Sequence, residues 1–186
     1  MQPKILGICG ISGSGKTSLA KALAAHFNDA PILFWDDFEA VSTYPEDYIA
    51  WYRSGKDYTA WKTPLLAKTL RELKENRTKP LTRAKWIIYD APLGRNHSET
   101  GQYIDFLIFL DTPLDVALAR RLKRECAYKE SIDPKALAKE LDHYIDEARP
   151  LFLETNSLKA GADLIIDGML PLDKLIEKIT TTIPSL

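Results

Sequence analysis

The residues best suited to chemistry come early: Gly10-Ile11-Ser12-Gly13-Ser14-Gly15-Lys16-Thr17, or GISGSGKT. The spacing G-x-x-x-x-G-K-[ST] describes a phosphate cradle. Its glycines let the backbone curl so that several N–H groups aim at phosphate oxygens. A helix opening near Gly15 adds the positive end of its dipole. In such a loop Lys16 reaches the β- and γ-phosphates, and the Thr17 hydroxyl binds Mg²⁺. The expected phosphate-binding set is Gly10, Ser12, Gly13, Ser14, Gly15, Lys16, Thr17 and Ser18, with a nucleoside triphosphate and Mg²⁺ as ligands. The bland alternative is a chance glycine-rich turn. The setting argues against it, because the motif follows an apolar strand pattern and opens an amphipathic helix.

Carboxylates recur where apolar runs stop, at Asp36 with Asp37, at Asp90 and at Asp111. In a parallel sheet, ligands sit outside the carboxyl ends of the strands. A carboxylate there holds Mg²⁺ or takes a proton from an attacking hydroxyl. Asp90 closes WIIYD and is expected beside the metal with Thr17, its alternative being a turn-initiating aspartate before Ala91-Pro92. Asp36 has no obvious turn chemistry and is a candidate catalytic residue, whereas Asp37 could cap a short helix. Asp111 precedes Thr112-Pro113 and reads as a helix cap.

The elements that must carry these groups alternate. Strands are expected at Lys4–Cys9, Ile32–Trp35, Trp86–Tyr89, Phe106–Leu110 and Leu164–Ile166. Helices are expected over Lys16–Phe27 and Thr63–Asn76, from Pro113 through LDVALARRLKREC, and over Leu172–Ile179. A further helix opens at Asp133-Pro134, with Leu137, Leu141, Tyr144 and Ile145 as its stripe. Strands alternating with helices imply crossover connections and a mostly parallel five-stranded sheet covered on both faces. The expected fold class is α/β, a three-layer αβα sandwich of the P-loop NTPase type, in one domain over 1–186.

The bulk composition narrows the function. A chain of 186 residues with 45% hydrophobic content fills one core. A net charge of −1 gives no global attraction to nucleic acid or membrane, so neither is expected as a partner. No apolar run approaches the roughly 20 residues that span a bilayer. The two cysteines, Cys9 and Cys126, lie far apart, and Cys9 reads as a small buried hydrophobe. A cytoplasmic protein is expected.

Taken together, GISGSGKTS at 10–18, FWDDF at 34–38, LDTPLDVALARRLKRE at 110–125, and YIDEARPLF followed by GADLIIDG resemble one group. It comprises the small-molecule kinases related to uridine kinase, nicotinamide riboside kinase and phosphoribulokinase. The resemblance implies ATP as donor, Asp36 as the base for the acceptor hydroxyl, and a helical lid over about 120–133. Lid arginines would neutralise the transferring phosphoryl group. Arg120 and Arg124 share a face while Arg121 lies about 100° away, and Arg121 and Arg124 are taken as the catalytic pair; a solvated helix face is their alternative. Asp90 stands where the group often has glutamate. Two departures stand out. The lid segment AYKESID at 127–133 offers only Lys129 as a cation, and ENRTKPLTRAK runs directly into Trp86 without the insert that helps form a nucleoside pocket. Uridine and cytidine are therefore expected to be poor acceptors.

For an acceptor pocket the chain offers Tyr44, Tyr48, Trp51 and Tyr52 at helical spacing, most simply a helix face packed on the core. Gly55 to Trp61 reads as a loop facing the site, contributing Tyr58 and Trp61. After the third strand, Arg95 and His97 offer polar contacts to an acceptor. The expected activity is ATP- and Mg²⁺-dependent transfer of phosphate to a hydroxyl of a small metabolite, with Lys16, Asp36, Arg121 and Arg124 catalytic. A regulatory NTPase switch is the rival class, disfavoured by the absence of an N-K-x-D motif.

Overall fold

The structure, a computed structural model, describes residues 2–75, 85–127 and 133–183. Five strands form its centre: β1 Lys4–Cys9, β2 Ile32–Phe34, β3 Trp86–Asp90, β4 Phe106–Asp111 and β5 Leu164–Asp167. They lie in the order β2-β3-β1-β4-β5, and each neighbouring pair is parallel. Parallel strands need covering on both faces, which explains why β3 is buried at every position.

Successive side chains alternate between the two faces, so β1 feeds two cores. Leu6 and Ile8 join Leu19 and Leu23 of helix α1 (Lys16–His26) and Leu175 and Ile179 of helix α8 (Leu172–Thr182). Ile5 and Cys9 join Leu66 and Leu70 of helix α3 (Pro64–Lys74) on the other face. The result is a three-layer sandwich with all five strand ends on one edge. No helix among the described residues is long and apolar enough to cross a membrane.

The first strand turns into α1 through Gly15, whose φ of 104° is open to glycine and strained for other residues. Gly13 (φ 88°) is constrained twice over, because a Cβ there would lie within the carbonyl oxygen of Ala117. Ala117 belongs to helix α5 (Leu114–Ala127), so the phosphate loop and α5 meet backbone to backbone. Gly13→Ala is expected to destabilise the protein by about 2–5 kcal/mol, from positive-φ strain plus overpacking. Thermal unfolding checks this; an unchanged midpoint would mean that the two backbones part easily.

Several segments differ from the sequence expectation. Strand β2 stops at Phe34, and Trp35–Val41 forms a 3₁₀ turn that swings Asp36 onto the sheet edge. Asp111 ends β4 and pairs with Lys159 at 2.9 Å; it does not cap α5, which begins three residues later. Helix α6 (Pro134–His143) runs into a π turn at Tyr144–Ala148 and then helix α7 (Arg149–Glu154). Pro150 has no N–H and crowds the carbonyl four residues back, and a widened turn relieves both problems. The widening breaks the expected stripe: Tyr144 is buried while Ile145 is exposed. The expected helix end at Asn76, the junction 76–84 and the lid residues 128–132 lie outside the described residues.

Candidate active site

At the strand ends a cleft of about 1070 Å³ opens between the phosphate loop, the Trp35–Val41 turn, α5 and the α6–α7 helix. Gly10, Ser12, Gly13, Gly15, Lys16, Thr17 and Ser18 line its floor. The first turn of α1 has no side-chain cap, leaving its amides free for an anion. The Lys16 ammonium donates to the carbonyl oxygens of Gly10 at 3.0 Å and Ile11 at 3.2 Å. Ser14 is the exception in the loop. It is buried, and its carbonyl accepts from Thr112 Oγ1 at 3.0 Å and Arg120 Nη1 at 3.2 Å.

Sheet register explains the acids. Asp90 pairs with Ile8 of β1 on one side and Phe34 of β2 on the other, between the phosphate loop and Asp36. Burial pushes its carboxyl above the usual range and the Asp36 charge adds to this, while Lys16 opposes it. Its Oδ1 is buried without a hydrogen-bond partner. A carboxylate held so is expensive for the protein alone. It fits a hard cation bound by one carboxylate, one hydroxyl and phosphate oxygens, which is how Mg²⁺ is commonly held. Asp90→Asn is expected to raise the thermal midpoint of the metal-free protein at pH 7. In the folded chain ionisation is disfavoured, so the charged form loses stability as pH rises above the ordinary carboxylate range. The same variant should abolish any Mg²⁺-dependent shift of the midpoint, and a shift equal to the parent's would exclude Asp90 as a ligand.

The three arginines of α5 have separate surroundings. Arg120 is tied to the loop through Ser14 and reaches Met169. Arg121 packs over Phe152 at 5.0 Å and Tyr144 at 5.9 Å, and donates to Glu140 at 3.3 Å. Arg124 is exposed along the cleft wall. Arg121 thus clasps α5 to the α6–α7 helix and still faces the cleft.

No family model matches the chain. The uridine kinase of Psychromonas ingrahamii is 27% identical over an aligned length of 186 residues, 87% of this chain and 86% of its own. A sugar kinase from Janibacter sp. HTCC2649 superposes with a TM-score of 0.51 at 21% identity, over 96% of this chain and 93% of its own. The shikimate kinase of Aquifex aeolicus gives 0.51 at 17% identity, over 96% and 94%. The two solved structures share the fold. In fold this chain is similar to the P-loop small-molecule kinases, and in sequence to the uridine kinases.

The protein gathers Lys16, Thr17, Asp36, Asp90, Arg121 and Arg124 around one cleft, together with the loop residues other than Ser14. The four other expected acceptor contacts stand elsewhere. Arg95 donates to the Gly161 carbonyl and to Asp163, both at 2.6 Å, clamping the approach to β5. His97 is buried, with Nδ1 2.8 Å from Thr100 Oγ1 and Nε2 2.8 Å from the Trp61 carbonyl.

Tyr58 and Trp61 belong to an aromatic knot, because Thr43 and Lys62 bridge and close the excursion between them. Trp61 stacks on Tyr48 at 5.2 Å and meets Tyr44 and Trp51, and Tyr58 packs on Trp51. The expected helix over these aromatics shrinks to helix α2 (Tyr48–Arg53), started by Asp47 accepting from the amides of Ile49 and Ala50. Of this knot, Tyr48 lines the cleft.

The sequence expectation did not include Trp35 or the wall from Tyr144 and Phe152; it took Tyr48 most simply as core packing and left Arg120 out of the catalytic pair. Arg120 had a signal, its i,i+4 spacing from Arg124. The wall had one in Pro150, which forecast an irregular helix. Cys9 is inert, its thiol pushed up to about 12 by burial despite Lys16 and Arg95.

Proposed function

We propose that this protein is a kinase that transfers the γ-phosphate of MgATP to a hydroxyl of a small metabolite. One observation carries the reading: two carboxylates, Asp36 open to the cleft and Asp90 buried with an unpartnered oxygen, face the phosphate loop across the same space. A nucleotide-hydrolysing switch has no need of a second, accessible acid aimed at an acceptor.

The loop amides and Lys16 would bind the β- and γ-phosphates, and Thr17 and Asp90 would hold the magnesium ion. Bound there, the ion supplies positive charge to the phosphate oxygens. Asp36 orients the acceptor hydroxyl and takes its proton as the phosphoryl group arrives. Arg124 and Arg121, both on α5, which would close as a lid, balance charge on the transferring group, while Arg120 steadies the loop from beneath. Trp35 and Tyr48 give the acceptor side apolar faces. Positioning and charge neutralisation do most of the work in phosphoryl transfer.

A screen of purified protein with MgATP against nucleosides, vitamins, sugars and sugar acids tests this, reading ADP release and phosphorylated product. Acceptor-dependent ADP is expected, with uridine and cytidine among the poor acceptors. ADP release that no acceptor stimulates would move the chain to the switch class.

A further inference from the structure

We propose that His97 is a positioning residue that sets the placement of Asp36 relative to Asp90 from behind the acceptor side. The proposal rests on the phosphotransfer reading for its kinetic consequence. The geometry stands without that reading.

The imidazole is 1% exposed and lines no part of the cleft. Its Nε2 lies 2.8 Å from a carbonyl oxygen, that of Trp61, which can only accept. Nε2 therefore carries a proton. Burial pushes the ring below the usual histidine range, so it stays neutral and Nδ1 is bare. Nδ1 then accepts from Thr100 Oγ1 at 2.8 Å, and that oxygen accepts from the Tyr89 hydroxyl at 3.1 Å. Every proton in the chain Tyr89, Thr100, His97, Trp61 has one direction. Such a fully satisfied buried chain admits one arrangement, since reversing any link leaves a buried donor or acceptor unpaired.

The two ends of this device are what matter. Tyr89 is the residue before Asp90 on β3. Trp35, the residue before Asp36, packs edge-on against the His97 ring at 5.2 Å and 76°. Each aspartate is thus one peptide bond from an aromatic side chain that rests on, or is bonded through, the same buried imidazole. A site needs its acid and its metal ligand held to a fraction of an ångström, and locked side chains behind them provide that.

The test uses His97→Phe, which keeps a ring for Trp35 and deletes both hydrogen bonds, and His97→Gln, which keeps one donor and one acceptor. Thr100→Val breaks the same chain with a smaller change and serves if His97→Phe does not fold. With the best acceptor found, His97→Phe is expected to lower acceptor-dependent kcat by about 10–100-fold, the effect of misplacing a reacting group by up to 1 Å. The KM for MgATP should stay within about 2-fold because the phosphate loop is untouched, and His97→Gln should recover most of the loss. A parental kcat in His97→Phe and Thr100→Val overturns the proposal. So does a parallel loss of MgATP affinity, which would mean general loosening.

A crystal structure of the variant gives a reading independent of activity. Trp35 and Asp36 should shift relative to Asp90, and unchanged positions overturn the proposal even if no acceptor is ever found. Absence of acceptor-dependent turnover in the parent, by contrast, would sink only the phosphotransfer reading.

Discussion

Lys16→Ala is expected to abolish phosphate transfer, with acceptor-dependent ADP release falling at least about 10³-fold, while the fold survives. The first half follows from chemistry: charge on a transferring phosphoryl group has to be met by preorganised positive groups, and removing one such group typically costs this much. The second half follows from contacts. Among the described residues, the Lys16 ammonium bonds only the carbonyls of Gly10 and Ile11 within its own loop, and the side chain lines the cleft. One side effect is built in. Lys16 is the main group restraining the Asp90 carboxyl from rising further, so the alanine variant should protonate Asp90 more readily and lose Mg²⁺ affinity as well. Turnover equal to the parent's would remove the central claim, and a collapsed thermal midpoint would show that the side chain is structural.

The second large effect concerns Asp36. Asp36→Asn should leave MgATP binding nearly unchanged, because Lys16, Thr17, Asp90 and the loop amides remain. Acceptor-dependent ADP production should fall by about 10²–10⁴-fold, the usual contribution of a positioned general base, and nearer the lower end because a loose transition state asks less of it. The setting suits that role. Asp36 is exposed on the first turn of a 3₁₀ segment, and among the described residues no hydrogen bond or ion pair occupies its carboxylate. Should Asp36 instead hold the metal, MgATP affinity and acceptor-independent hydrolysis would weaken together. Measuring affinity and both ADP-release rates on one preparation separates the cases. Parental transfer to the best acceptor would leave the kinase reading without its base.

Much of the framework was legible because it depends on short-range signals. Continuous apolar runs announced all five strands to within a residue at their carboxyl ends, and glycine spacing announced the loop. Asp36 and Asp90 were readable since strand ends in a parallel sheet converge by topology alone. What escaped depended on partners far away in sequence. Arg95 looked available until Gly161 and Asp163, 66 and 68 positions on, were seen to occupy its guanidinium. His97 looked like a loop residue until Trp61 and Thr100 took both ring nitrogens. The aromatics of 44–52 suggested one helix face, whereas a two-residue bridge between Thr43 and Lys62 closes the segment that carries them and Trp61. Ile145 was misplaced because a period of 3.6 cannot anticipate a π turn.

The meeting of Gly13 with Ala117 bears on how this motif can be inherited or transplanted. A phosphate-binding octapeptide is commonly treated as a portable cassette. Here its shape is finished by a backbone carbonyl about a hundred positions downstream, and by Thr112 and Arg120 gripping the Ser14 carbonyl from the same quarter. The unit that recombination or a designer can move intact is therefore discontinuous, the loop together with the opening turns of α5. A chimera that took residues 10–17 and left the 112–120 segment behind would receive the letters of the motif without the surface against which they are folded.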